Sequence, residues 1–374
     1  MIRVITIELY VVKYMTWDHK RGMVMRNLVM DLSGRDLIST LDWSVEELEI
    51  ALRLAEELKW RYHSFGLAEI PRILDRKVFF MLFYAPSTRT RAAFEAAMTM
   101  LGGHAAYVEA KTTRLGIGEK GVGEAAKDVA VMYERYGHGI GIRILDKAID
   151  YVYGRGNEVI QIYAKHARVP VINMADDKFH PTQGLADLYT FRERFGKIQG
   201  KKYAVMWAYS PEIRGRCSVQ EDIILFTRFG VDVVVAYPPG FDLDPKLMEI
   251  AKKNAKESGG SLEFTNDFKE ALEGAHAVFP RNWASPKLVE LGYSKFAEEE
   301  LKIYEKYRNW KVTREVFDLM DKHGVLMHVL PIFRGYEADD DVVDDPKRSI
   351  IYEQAENGLW TKAAVLALTL YGVK

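Results

Sequence analysis

Short runs of β-branched and aromatic residues alternate with longer amphipathic runs over most of the 374-residue chain, and no other feature restricts the fold as sharply. Ser44 to Trp60 reads as a helix, because Ser44 and Glu47 have the spacing of a capping box and Leu48, Ala51, Leu52, Ala55 and Leu58 make one apolar stripe. Lys77 to Tyr84 (KVFFMLFY), His104 to Glu109, Gly139 to Ile144 and Val169 to Met174 read as strands, with a helix from Thr88 to Leu101 stopped by Gly102-Gly103. The second half repeats the rhythm. Tyr203 to Trp207, Val231 to Ala236, Ala275 to Phe279 and Val325 to Leu330 read as strands, with helices from about Val219 to Phe229 and from about Pro245 to Ser258. Strands separated by helices make parallel sheets covered on both faces.

The expected fold class is therefore α/β, with two doubly wound parallel-sheet domains. Residues 31–178 form the first domain, 179–196 a linker helix and 197–348 the second domain. A last helix, within 349–374, carries Ala355, Leu359, Ala363 and Leu366 on one side and returns to the first domain. Residues 1–30 read as an N-terminal extension with neither helix nor strand, and Met23, Met25 and Met30 are alternative starts. In such folds ligands bind beyond the carboxyl ends of the strands.

Composition removes several function classes. A chain with 48% hydrophobic residues has material for two cores, which excludes disorder. With 52 basic and 53 acidic residues the net charge is −1, against a dedicated nucleic-acid or membrane-surface protein. Cys217 is the one cysteine, so neither a disulfide framework nor a multi-cysteine metal site is possible. No run reaches the roughly 18 apolar residues of a membrane span, and the N-terminus lacks the pattern of a leader, so a cytoplasmic setting is expected. The acidic run Asp339, Asp340, Asp341, Asp344 and Asp345 lacks the alternating spacing and turn glycine of a calcium loop and reads as a solvated segment. His63, His104, His138, His166, His276 and His323 show no ligand spacing, and no metal or cofactor is expected.

Chemistry concentrates in two places. Ala85-Pro86-Ser87-Thr88-Arg89-Thr90-Arg91 follows a strand and opens a helix, so hydroxyls, guanidinium groups and free backbone N–H groups meet at the positive end of a helix dipole. That donor set suits a phosphate dianion. A simple cap accounts for Ser87 but not for the arginines. The second place is VPVINMADDKFHPTQGLAD, Val169 to Asp187, where a strand ends and His180-Pro181 opens another helix. Near that N-terminus His180 is expected to be neutral and able to donate to a carbonyl oxygen, with Gln183 on the same face.

Ser-Thr-Arg-Thr-Arg after a strand, followed about 90 residues later by His-Pro-Thr-Gln-x-Leu-Ala-Asp, resembles the aspartate/ornithine carbamoyltransferases. GRDLIST, HVLP at His328 to Pro331 and the closing EQAENGLWTKAAVL extend the likeness to the C-terminus. The resemblance implies that Ser87, Thr88, Arg89 and Thr90 bind the phosphate of carbamoyl phosphate and that Arg143 bridges phosphate and carbonyl oxygen. It further implies that His180 polarises the carbonyl, and that Gln183 and the Leu330 backbone carbonyl hold the carbamoyl amino group. Arg89, Thr90, Arg143 and His180 are thus the candidate catalytic residues. A homotrimer is implied too, with a mobile glycine-rich loop at Gly116–Gly123 placing Lys120 (or, less well matched, Lys111) in a neighbouring subunit's site. That run formally contains GxGxxG, but it does not separate a strand from a helix, which argues against a dinucleotide-dependent dehydrogenase.

The acceptor segments depart from the best-known members. The ornithine enzymes' Asp-x-Trp-x-Ser-Met-Gly is replaced here by HAVFPRNWAS, and Val329 stands where they have cysteine. The aspartate enzymes' His-Pro-Leu-Pro-Arg is also unmatched, so ornithine and aspartate are not the expected acceptors. MWAYSPEIRGRCSV, AYPPGFDLDP and NWAS resemble instead the branch of N-acetylornithine and N-succinylornithine carbamoyltransferases, and most of all the uncharacterised YgeW-type transcarbamylases. That likeness implies a backbone knot in the second domain. Trp283, Arg281 and Arg334 are the candidate contacts for a small amine acceptor. The competing reading is a non-catalytic sensor of carbamoyl phosphate that has lost its amine pocket.

Overall fold

The computed structural model describes residues 12–18, 22–28, 32–118 and 123–373. Strands β1 (Val12–Asp18) and β2 (Gly22–Leu28) pair antiparallel, Val12 opposite Leu28 and Asp18 opposite Gly22. This corrects the expectation of an N-terminal segment without strands. The charge at Lys13, which with Glu8 argues against a leader, does not oppose pairing, and Val12, Tyr14, Thr16, Trp17 and Val24 are residue types that favour strands.

Helix α1 (Val45–Phe65) starts at the predicted capping box, with the Ser44 hydroxyl accepting from Glu47 N and the Glu47 carboxylate accepting from Ser44 N. Then come β3 (Val78–Phe83), α2 (Thr88–Met100), β4 (His104–Glu109), α3 (Ala126–Tyr133), β5 (Gly139–Arg143), α4 (Arg155–His166) and β6 (Val171–Ala175). The four strands form a parallel sheet in the order β4-β3-β5-β6. Helix α5 (Pro181–Phe195) leads into β7 (Lys202–Trp207), α6 (Cys217–Arg228), β8 (Asp232–Ala236), α7 (Pro245–Ser258), β9 (Ser261–Thr265), α8 (Phe268–Leu272) and β10 (Ala277–Arg281). Three helices follow, α9 (Pro286–Leu291), α10 (Tyr293–Glu305) and α11 (Arg314–Phe317), then β11 (Val325–Leu326), α12 (Asp340–Val343) and α13 (Ile351–Leu370). The second parallel sheet runs β11-β10-β7-β8-β9.

Both sheets reverse direction once, between β3 and β5 in the first and between β7 and β10 in the second. Those switch points open a crevice at the carboxyl ends of the strands. Helix α13 packs on α1, α2 and α5. It does not bury a single stripe as its sequence implied: Ile351, Gln354, Asn357, Gly358 and everything from Trp360 to Ala367 are buried, whereas Ala355 is exposed. The strand predicted at Val325–Leu330 stops at Leu326. Beyond it His328 N donates to Gln354 Oε1 (2.7 Å) and Leu330 N to His328 Nδ1 (2.8 Å), so the backbone leaves the ladder ahead of a cis Leu330–Pro331 bond.

Helix α5 joins the two sheets and packs on α6. The crossing is tight at Gly184, where a Cβ would lie 2.8 Å from Glu221 Cγ. Gly184→Ala should therefore push the two helices apart and cost about 1–3 kcal/mol in urea unfolding. Wild-type stability in that variant would mean the helices do not approach so closely.

Candidate active site

The predicted phosphate loop caps α2. Ser87 Oγ accepts from Thr90 N (3.2 Å), and Thr90 is buried behind it. The two arginines diverge. Arg91 lies outward, donating to Glu95 (2.9 Å) and stacking on the Tyr107 ring at 3.8 Å, whereas Arg89 faces the crevice. A cavity of about 130 Å³ sits there.

Each group that reaches the cavity comes from the end of a strand, from the loop or helix start that follows one, or from α13. Ser87, Arg89 and Thr90 follow β3; Arg143 ends β5; His180 and Gln183 follow β6; Cys217 and Ser218 follow β7; Arg281 ends β10; His328 to Pro331 follow β11. Helix α13 adds Gln354, Ala355, Gly358 and Lys362. Of the sequence-predicted residues, Ser87, Arg89, Thr90, Arg143, His180, Gln183, Leu330 and Arg281 thus share one cavity. Thr88 is exposed at the start of α2 and does not line it, and Lys120 lies outside the described residues.

The lining is cationic. Arg143 keeps one bond, from Nη1 to Met174 O (3.4 Å), and its sheltered Nε has no partner. Nε and Nη1 of Arg281 are likewise sheltered and unpartnered. Burial, with Arg89 and Arg281 beside it, pushes the Arg143 guanidinium down to about 10, still charged at neutral pH. No Asp or Glu belongs to the described lining. Unpartnered buried donors of one sign mark a place for an anion.

His180 is buried at the N-cap of α5, its N–H donating to Glu221 Oε2 (3.1 Å) and its Nδ1 unpartnered. Burial, then the charges of Arg143, Lys362 and Arg281, hold its pKa well below the ordinary value, so the ring is neutral. The sequence anticipates that state from the helix end, but burial is the larger cause. The other carboxylate oxygen of Glu221 accepts from Thr40 N (3.1 Å) and Thr40 Oγ1 (2.5 Å), tying α6 to the start of the first half. Gln183 donates through Nε2 to Asp187 Oδ1 (2.7 Å), which leaves its amide oxygen as an acceptor. Asp187 also accepts from Gln354 Nε2 (2.5 Å), and Gln354 Oε1 holds His328 N.

Two acceptor candidates lie elsewhere. Trp283 is fully buried, with Nε1 donating to Phe241 O (2.8 Å) and its carbonyl accepting from Trp207 Nε1 (3.0 Å). Its indole finds a better place in the second core than on a wet surface. Arg334 is exposed and forked onto Asp344 (2.7 Å), with a further bond to Asp340 (3.1 Å). With Arg314 on Asp341 and Asp345 and Lys311 on Asp339, the acidic run is neutralised by its neighbours. Arg214, absent from the sequence prediction, stacks on Phe333 (3.9 Å) and bonds Pro331 O (2.9 Å), 3.4 Å from Glu337. Lys362 and Gln354 were also missed. Their signal was polar residues in a helix that is otherwise apolar almost all round.

Residues 35–193 match the model described as "Aspartate/ornithine carbamoyltransferase, carbamoyl-P binding domain", and residues 199–369 match the corresponding "Asp/Orn binding domain". The ornithine carbamoyltransferase of Thermococcus kodakarensis is 36% identical over 93% of this chain and 100% of its own length. The anabolic ornithine carbamoyltransferase of Pyrococcus furiosus is also 36% identical, over the same shares. Among solved structures, acetylornithine transcarbamylase complexed with acetylcitrulline superposes with a TM-score of 0.81 at 32% identity, covering 90% of this chain and 99% of that one. The Pyrococcus furiosus ornithine enzyme gives 0.78 at 36% identity, covering 92% and 100%.

Trp283→Ala should cost about 3–5 kcal/mol of stability, measured by denaturant unfolding, while the folded fraction binds phosphate as the wild type does. Lost phosphate affinity at unchanged stability would put the indole in the site instead.

Proposed function

The chain belongs to the aspartate/ornithine carbamoyltransferase family, enzymes that transfer carbamoyl groups, and from that premise we propose the reaction and the roles that follow. The protein moves the carbamoyl group of carbamoyl phosphate to the amino group of a small, carboxylate-bearing acceptor and releases phosphate. The observation that carries this reading is the cationic cavity shared by Arg89, Arg143, His180 and Arg281 at the carboxyl ends of both sheets.

The phosphate rests on the α2 N-terminus with Ser87, Arg89 and Thr90, Thr88 contributing its backbone N–H rather than its side chain. Gln183, oriented by one amide N–H on Asp187, accepts through its amide oxygen from the carbamoyl amino group, as does the Leu330 carbonyl. Attack by the amine nitrogen on the carbamoyl carbon turns the carbonyl into an oxyanion. Thr90, Arg143 and the neutral His180 are the donors at that oxygen, fixed before the reaction begins. Breaking the C–O bond then leaves the electron pair on phosphate, whose charge stays with Arg89 and the helix end, and the proton from nitrogen passes to that phosphate. A full set of oxyanion donors favours catalysis over mere sensing.

The acceptor follows from charge. Arg281 offers two free N–H donors, while the described lining has no acid to meet a second ammonium group. An acceptor with a carboxylate and an acylated or absent second amino group fits this better than free ornithine. Arg281, rather than Trp283 or Arg334, is the contact the geometry supports. The second reading is ornithine itself, favoured by the names of the curated relatives. The likeness of 206–219 to the branch of N-acetylornithine and N-succinylornithine enzymes supports a threaded second domain; that segment lies along 281–284, with Ala284 N donating to Arg214 O (3.0 Å) and Arg214 N to Asn282 Oδ1 (3.3 Å). The family likeness supports a homotrimer in which the 116–123 loop and Lys120 complete a neighbour's cavity.

Phosphate release and carbamoylated product, measured across ornithine, N-acetylornithine, N-succinylornithine and aspartate, test the reaction. An N-acylated acceptor should exceed ornithine in kcat/KM, and a preference for ornithine would overturn the charge argument. With whichever acceptor is used, Arg89→Ala should lose roughly a thousandfold in rate, about 4 kcal/mol of transition-state binding. Wild-type turnover in that variant would refute the assignment.

A further inference from the structure

Lys362 is a buried lysine that no part of the reaction above uses. It sits in the interior of α13, with a relative exposure of 4%, and its side chain runs back along the helix to donate to the Gly358 carbonyl (2.9 Å). Gly358 is what makes room for it, because a Cβ at that position would stand 3.3 Å from the Lys362 Nζ. Gln354, Gly358 and Lys362 fall at successive four-residue steps and so share the helix face that lines the cavity. No described carboxylate lies within ion-pair distance of the ammonium. The groups that face it are Asp187 on α5, Arg89 and the Phe94 ring on α2, Arg143 at the end of β5, and His180.

We propose that Lys362 is a phosphate-binding residue of this site, whose ammonium reaches the anion through the gap left by Gly358 and supplies a positive charge that the Ser-Thr-Arg loop alone does not. The proposal rests on the carbamoyl phosphate reading of the cavity and adds a ligand to it. In a cavity without an anion the charge is costly. Burial, outweighing Asp187 and reinforced by Arg143 and Arg89, brings the lysine down to about 8. A phosphate dianion restores the charged form, so binding near that pH draws in a proton. Above that pH the unliganded protein holds a neutral amine, and the anion must be bound together with a proton that is increasingly scarce.

Inorganic phosphate is the probe, titrated calorimetrically into the whole protein between pH 8 and 9.5, where the anion itself is already the dianion. The wild type should lose about tenfold or more in affinity across that range. Repeating the titration at pH 8.5 in buffers of different ionisation enthalpy should show a proton taken up on binding. Lys362→Met should bind phosphate at least tenfold more weakly at pH 7.5, with no proton uptake and a flat profile above pH 8. Its melting temperature at pH 7.5 should rise, since an uncompensated buried charge is gone. Affinity within twofold of the wild type in Lys362→Met, or a wild-type profile that is flat and draws in no proton, would overturn the assignment of Lys362 while leaving the cavity's anion reading in place. Failure of the wild type to bind phosphate or carbamoyl phosphate at any pH would overturn both.

Discussion

The structure is organised around positive charge collected at a cavity whose nearest acids (Glu337, Asp146 and Asp187) stand one layer back. Arg89, Arg143, Arg281 and Lys362 reach one small cavity from four different elements, and the described lining contains no carboxylate. Such an arrangement is unfavourable on its own, because each cation loses water and gains a like-charged neighbour. It persists because the surrounding fold holds the groups in place: Arg143 is still in register with Phe83 of β3 and Arg281 with Trp207 of β7, and α13 packs on α1, α2 and α5. The missing partner is an anion of at least two charges, and a phosphate ester meets that demand.

The same fold decides how the anion is presented. Both parallel sheets point their switch points at the cavity, so donors come from opposite walls while α5 and α6 cross behind it. Carboxyl groups do the holding from outside the lining. Glu221 fixes the His180 backbone and Thr40 together, Asp187 orients Gln183 and Gln354, and Gln354 in turn pins His328 beside the Leu330 turn. Burial raises the pKa of Glu221 and of Asp187, so these acids act as hydrogen-bonding struts more than as charges. Positive groups touch the ligand, and acids position them from one layer back.

Much of this was legible in the chain. The helix at Ser44 and the strand at Val78–Phe83 follow from a capping box and a continuous apolar run, both local signals. The phosphate loop and His180 were legible because strand-to-helix turns concentrate chemistry at helix starts. What escaped depended on distant neighbours. Trp283, two residues beyond Arg281, looks like its partner in a binding pair, yet β10 ends at Arg281, so strand alternation no longer relates the two side chains, and the indole is buried in the core while the guanidinium lines the cavity. Arg334 lies close to HVLP in sequence, but five aspartates downstream supply a nearer partner than any substrate. Lys362 was hidden because a lysine late in a helix reads as solvent-facing, and only the packing of α13 inside the first half shows otherwise. The β9 edge strand escaped although SLEFT alternates polar and apolar residues at the strand period; it is only five residues long and follows directly on a helix end.

The account stands on one geometric claim: phosphate and carbamoyl group lie across the crevice between the two helix starts, ready for nitrogen. A crystal structure of the protein soaked with carbamoyl phosphate measures it directly. The account predicts phosphate oxygens within about 2.7–3.2 Å of Ser87–Thr90 N–H groups, Arg89 and Arg143, with the carbonyl oxygen at the same range from His180. A ligand bound with its phosphate away from the α2 N-terminus, or with His180 beyond reach of any of its atoms, would contradict it.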